Sequence, residues 1–182
     1  RYHPATEQDT PSPVQDGFCY SHVGWMWQEG TSETHFDRIR DFAKYPELVW
    51  LNRFWVVPPI MLGVAAYLLL GWSGLFVGFF LSTVILWHAT FAINSLAHVL
   101  GTRPYTSGDD SRNNFVLALL TLGEGWHNNH HYYQASTRQG FHWWQVDITY
   151  YTLTVLPGVG LAWDLREPPA EVVRGTRTVT HV

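Results

Sequence analysis

The residues most able to do chemistry in this chain are its histidines, ten in all. Three of them lie in the run Gly123-Glu124-Gly125-Trp126-His127-Asn128-Asn129-His130-His131. On a helix, His127, His130 and His131 are i, i+3 and i+4, so their imidazoles share one face. Neutral imidazoles at that spacing suit a divalent transition metal. A surface patch of histidine or a proton relay would use the same residues. The aromatic and glycine neighbours, beside an apolar segment, favour the metal. A second group, Asn94-Ser95-Leu96-Ala97-His98, sets Asn94 and His98 at i and i+4. Taken alone, His98 reads more readily as a capping or interface residue than as a ligand.

Composition narrows the choice of metal. The one cysteine, Cys19, leaves no disulfide framework and no cysteine-rich zinc or iron–sulfur site. Glu124 precedes the histidines outside the His-Glu-x-x-His register of hydrolytic zinc sites. Iron accepts imidazole and leaves positions open for dioxygen. The charge balance, 11 Lys+Arg against 15 Asp+Glu, argues against a nucleic-acid partner.

The elements that must hold these residues can be read from the distribution of charge. Residues 54–102 contain no Asp, Glu, Lys or Arg. As one helix this run would measure about 74 Å, against a hydrocarbon core of about 30 Å. Two spans fit, divided at Gly71-Trp72-Ser73-Gly74, where two glycines and a serine supply a turn. The expected architecture is all-α: an integral membrane protein with a transmembrane helical hairpin at about 54–100. Its alternative is a buried hairpin of a soluble protein. All Lys and Arg lie on the two flanks, which the positive-inside rule places in the cytoplasm. A cytosolic helical cap, residues 1–53 and 101–167, would carry the histidine-rich site, followed by a poorly ordered polar tail, 168–182.

Within the cap, residues 1–17 read as an extended loop and 18–29 as a short aromatic helix. Thr34 to Tyr45 reads as an amphipathic helix that Pro46 ends or kinks. Asn113 to Gly123 is apolar but too short to span, so a buried or re-entrant helix is expected. Phe141 to Trp163, interrupted by Asp147 and Pro157-Gly158, reads as interfacial or buried. No apolar signal core lies near Arg1.

The combined motifs resemble the membrane-bound fatty acid desaturases of the Δ9 acyl-CoA or acyl-lipid type. The run 123–131 resembles that family's last histidine box in its Gly-Glu-Gly-aromatic setting. Asn94-Ser95-x-Ala97-His98 followed by Gly101-x-Arg103-Pro104-Tyr105 resembles a second conserved stretch, with Ser111-Arg112-x-Asn114 between the two. Phe18-x-Tyr20-Ser21-His22-Val23-Gly24-Trp25 and Gly160-Leu161-Ala162-Trp163-Asp164 resemble two more. Together they cover about residues 5 to 167. The family's two earlier histidine boxes are missing from this sequence, and Tyr2-His3-Pro4 resembles the stretch directly after the second box. The resemblance therefore implies the C-terminal part of a single desaturase domain, holding about half of the ligands of a di-iron centre.

It further implies that His98, His127, His130 and His131 ligate iron, and that Asn94 reaches one iron through a water. Glu124 would orient a ligand imidazole. His22 would be structural or near the head group of the acyl carrier, and His88 would face the helix bundle. His3, His35, His142 and His181 would be surface or structural. Phe91, Trp87 and Trp126 would line the acyl tunnel or merely pack between helices. The implied activity is O2-dependent: two iron ions, reduced by a separate electron donor of ferredoxin, rubredoxin or cytochrome b5 type, introduce a cis double bond into a saturated fatty acyl-CoA or acyl-lipid. A hydroxylase of alkyl chains or carotenoids on a similar scaffold, or a catalytically incomplete remnant, are the alternatives.

Overall fold

A computed structural model describes residues 17–27, 34, 36 and 39–175 of the chain. Every regular element among the described residues is helical, and the only strand-like pairings are the isolated bridges Thr102–Asn113 and Asn113–Trp126. The all-α expectation holds. The chain divides into two compact units, Met26–Trp87 and Arg1–Trp25 with His88–Val182.

The first of these contains α2 (Arg40–Ala43), α3 (Pro46–Arg53), α4 (Val57–Ser73) and a π-helical stretch, Gly74–Leu81. The amphipathic helix expected over Thr34 to Tyr45 is reduced to the single turn α2 among the described residues. Tyr45 precedes a proline and is extended, with φ −97° and ψ 108°, which stops the helix. Pro46 then serves as the first residue of α3, where its missing N–H costs nothing. Pro58 and Pro59 occupy the same kind of position at the start of α4.

The helical run Val57–Val99 is long and apolar enough to cross a membrane, and little of it is buried. It is not straight. Gly71 has φ 62° and ψ −150°, a conformation that only glycine takes readily. A β-carbon on Gly74 would lie 2.2 Å from the Ala66 carbonyl, and one on Gly63 would lie 3.2 Å from the Phe79 ring. Gly63 and Phe79 would stand about 24 Å apart in an unbroken helix. The run thus kinks at Gly71, the first residue of the Gly71-Trp72-Ser73-Gly74 stretch.

The second unit holds α1 (Phe18–His22), a 3-10 turn at Gly24–Trp27 that reaches just past its boundary, the last turns of α5 (Ser82–Val99), α6 (Phe115–Leu120), α7 (His127–Tyr132), α8 (Ile148–Val155) and α9 (Ala170–Val173). Residues 28 and 29 of the expected first helix, and residues 1–16, lie outside the described residues, as do His3, His35 and His181. The Phe141 to Trp163 segment is helical only from Ile148, with a 3-10 turn at Leu156–Val159 where Pro157-Gly158 was expected to interrupt it. Asp147 caps α8 through the Tyr150 N–H, 2.9 Å from Oδ1.

The described part of the tail corrects the expectation of disorder from Pro168. Val172 is fully buried against Tyr105, Tyr132 and Phe141, and the Tyr105 hydroxyl donates to the Val173 carbonyl at 2.7 Å. Burial of a β-branched residue outweighs the polar character of its neighbours.

The Gly-Glu-Gly sequence before α7 has a packing reason. A β-carbon on Gly125 would lie 2.0 Å from the Ala118 nitrogen, and one on Gly123 would lie 2.4 Å from the Asp147 carboxylate. Gly123 also has φ 131°. Gly125→Ala should lower stability by about 3 kcal/mol, at the upper end of overpacking costs, read as a fall in melting temperature. Gly78→Ala, with nothing within 4 Å of its added carbon, should leave the melt unchanged or raise it.

Candidate metal centre

Three of the expected ligands converge. One nitrogen from each of His98, His127 and His131 lies within 4.8 Å of the other two. His98 comes from the last turn of α5, and the other two from α7. His127 and His131 are buried, and His98 is half-buried. His130 stands outside this group. Its ring lies 6.2 Å from that of His127 and 5.7 Å from that of His131, on the same side of α7.

Two of the rings are oriented by bonds to Nδ1. The His98 Nδ1–H donates to the Ile93 carbonyl at 3.3 Å, which makes Nε2 the lone-pair nitrogen. His131 Nδ1 is held by the Asp109 carboxylate through Oδ2. A carboxylate behind a histidine fixes its tautomer and turns the other nitrogen toward a metal. Asp109 is itself held firmly. Its Oδ1 accepts from the Ser107 and Ser111 hydroxyls, each at 2.6 Å, and from the Ser111 N–H at 3.1 Å. Burial disfavours the Asp109 carboxylate, but the bonds from His131 and the two serines outweigh it and keep the group far below the usual carboxylate range.

The site is suited to a metal by an unmet need. His127 Nε2 is buried and has no hydrogen-bond partner. Burial, and next the neighbouring imidazoles His131, His98 and His130, push the His127 ring well below the usual histidine range. It is therefore neutral at physiological pH, as a ligand must be. A buried nitrogen lone pair with no donor to meet it is costly. A cation at the convergence of the three rings would remove that cost. The donor set, nitrogen without thiolate, fits iron.

The carboxamides between the ligands do different work. Asn128 and Asn129 are fully buried. Asn128 accepts from the Tyr105 N–H at 2.9 Å and donates to the Tyr105 carbonyl at 3.0 Å. Asn129 donates to Gln139 O and Gln145 Oε1 at 2.8 and 2.9 Å. The Asn113 side chain joins them: its Oδ1 accepts from the Asn128 N–H at 2.9 Å, and its Nδ2 donates to Asn129 Oδ1 at 2.6 Å. Asn113 is also paired with Thr102, just beyond α5. The lattice thus fixes α7 against the end of the helix that carries His98.

The remaining candidates fall into place unevenly. Asn94 is half-buried on α5, one helical turn before His98. Glu124 is exposed and makes no bond to an imidazole; the orienting carboxylate is Asp109 instead. Asp109 was legible only as part of a polar loop, because nothing in its spacing announces a partner 22 residues away. His22 and His88 meet, with His22 Nε2 and His88 Nδ1 3.0 Å apart and His22 Nδ1 2.9 Å from the buried Ser95 hydroxyl. That hydroxyl donates to the Phe91 carbonyl. A carbonyl only accepts, so the chain of bonds runs from His88 through His22 and Ser95 to Phe91. His142 is half-buried near the Tyr105 hydroxyl. Phe91 packs against His22, Trp25 and His88. Trp126 is buried between Phe115 and Trp144, with its Nε1–H on the Val146 carbonyl, and Trp87 is exposed.

Asp109→Asn should weaken binding of Fe(II) or Co(II) about 10- to 100-fold, measured by chelator competition. Asp110→Asn, which removes only the exposed pair with Arg103, should leave it unchanged.

Comparison with known proteins agrees with this geometry. The family model described as fatty acid desaturase matches residues 1–164. An sn-2 palmitoyl-lipid 9-desaturase from Nostoc sp. (strain 36) is 34% identical over 178 residues, covering 94% of this chain and 62% of that protein. An sn-1 stearoyl-lipid 9-desaturase from Anabaena variabilis is 38% identical, covering 90% and 60%. An icosanoyl-CoA 5-desaturase from Limnanthes douglasii is 35% identical, covering 92% and 49%. The chain thus spans about half to three-fifths of the length of these relatives. With its match over nearly the whole chain and its histidine box folded into a cluster able to hold a metal, this chain belongs to the fatty acid desaturase family.

Proposed function

We propose that this chain forms part of an O2-dependent acyl desaturase that places a cis double bond at or near carbon 9 of a saturated fatty acyl group. The convergence of His98, His127 and His131 nitrogens within 4.8 Å carries the reading. These three histidines and His130 would be iron ligands, with Asn94 acting through a water. Bound iron would supply the activation of dioxygen that unactivated methylenes require.

The chain's own residues prepare the site. Asp109 keeps the His131 ring in one tautomer, and burial keeps His127 neutral. The Asn113, Asn128 and Asn129 lattice holds the ligands in place before substrate arrives, as close positioning of the reacting carbons demands. In the balanced reaction the acyl chain loses two hydrogens, an external donor gives two electrons, two protons are taken up, and dioxygen becomes two waters. A small redox protein is the proposed donor.

The acyl carrier is proposed to be a lipid rather than coenzyme A, because the two 9-desaturase relatives named above are lipid enzymes. The apolar run is proposed to enter and leave the bilayer as a hairpin about Gly71, with both flanks and the metal site on the cytoplasmic side. The basic residues confined to those flanks support this orientation.

Expression of the full-length protein in a desaturase-deficient host should yield a cis-9 monounsaturated acyl lipid, identified by mass spectrometry. His127→Ala and His131→Ala should each lower bound iron and reduce product by at least about 1000-fold, on the scale of catalytic-group deletions. A hydroxylated product, or full turnover in either variant, would contradict the assignment.

A further inference from the structure

The cap bears an apolar surface that the metal site does not use. In α6 and the turn after it, Val116 is 63% exposed, Leu120 68% and Leu122 50%. In α8 and the 3-10 turn beyond it, Val155 is 71% exposed and Val159 68%, and Trp163 further on is 80% exposed. The two segments adjoin, because the Thr149 N–H at the start of α8 donates to the Leu122 carbonyl at 2.7 Å. Residues 148–163 carry no Asp, Glu, Lys or Arg. Charge returns at once beyond them, with Asp164 and Arg166 exposed and paired.

We propose that α6 and the α8–3-10 segment form one surface that lies in the cytoplasmic face of the bilayer, with lipid acyl chains as its occupant. The proposal rests on the membrane reading given under the proposed function. Three observations choose lipid over a protein partner. The surface is continuous with the end of α5, since Asn114, the cap of α6, donates to the Leu100 carbonyl, and Asn113 pairs with Thr102. Its exposed side chains are mainly aliphatic, and the exposed Trp163 stands beside the first charges, as aromatic rings do at a membrane interface. Several of its hydroxyls turn inward: those of Thr121, Thr152 and Thr154 bond to the Leu117, Ile148 and Tyr151 carbonyls, which leaves fewer polar groups for a protein interface to recognise. An element of this kind lies about 5–10 Å into the head-group and acyl boundary.

The experiment uses the full-length protein in phosphatidylcholine nanodiscs, on a cysteine-free background in which Cys19→Ser is combined with replacement of every other native cysteine. A bimane fluorophore is attached at Leu120→Cys, Val155→Cys or Val159→Cys, and nitroxide-bearing lipids serve as quenchers. Ile85→Cys reports on the proposed span, and Asp110→Cys on the polar loop. Shallow nitroxides should quench all three surface sites more than deep ones, deep nitroxides should quench Ile85→Cys, and Asp110→Cys should stay bright. Quenching at Ile85→Cys with none at the three surface sites would overturn the proposal and leave the span intact. Absence of quenching at Ile85→Cys as well would overturn both. The unsubstituted protein gives a second measurement. A diazirine phospholipid should label tryptic peptides 113–138 and 139–166, and labelling confined to the span would count against the proposal.

Discussion

Imidazoles brought nitrogen to nitrogen in a buried place do not stay there on their own account. Their lone pairs repel, and nothing in the group donates to the buried His127 Nε2. Much of the second unit packs around this arrangement, which the proposed cation would satisfy. Asp109 anchors one ring, the Ile93 carbonyl another, and a lattice of buried carboxamides ties α7 to the end of α5. Such a network is effective only when every member is satisfied. The saturated Asp109 Oδ1 and the fully bonded Asn128 and Asn129 meet that condition.

The range of the forces involved decides which features the sequence disclosed and which it hid. The helical spacing of His127, His130 and His131, the run without charge and the glycine at 71 are local patterns, and they announced a shared imidazole face, a long apolar helix and a kink within it. Asp109 and His131 are brought together by a loop closure that leaves no periodic trace. The same holds for Asn113, whose partners lie 15 and 16 residues on. Glu124 was the nearer acid in sequence and so the natural orienter, but the glycines on either side press against Ala118 and Asp147 and turn its side chain outward. In the tail, the buried Val172 outweighed a polar composition.

Polar and apolar segments are also kept apart along the chain. Charged groups gather on the flanks, while the helices between them are left without any. The imidazole cluster draws on the last turn of the apolar run and on the histidine box that follows it in sequence. The desaturase activity proposed above calls for a site placed between apolar and polar segments, because an acyl tail and its carrier prefer different media.

The six residues of α7 carry two scripts on opposite sides of one short cylinder. Imidazoles occupy one side, and the carboxamides of Asn128 and Asn129 the other. Turning the cylinder by a single position would drive an amide into the cluster and an imidazole into the lattice. Each side therefore acts as a ratchet for the other, and the imidazole face is protected from rotational slippage by the lattice behind it.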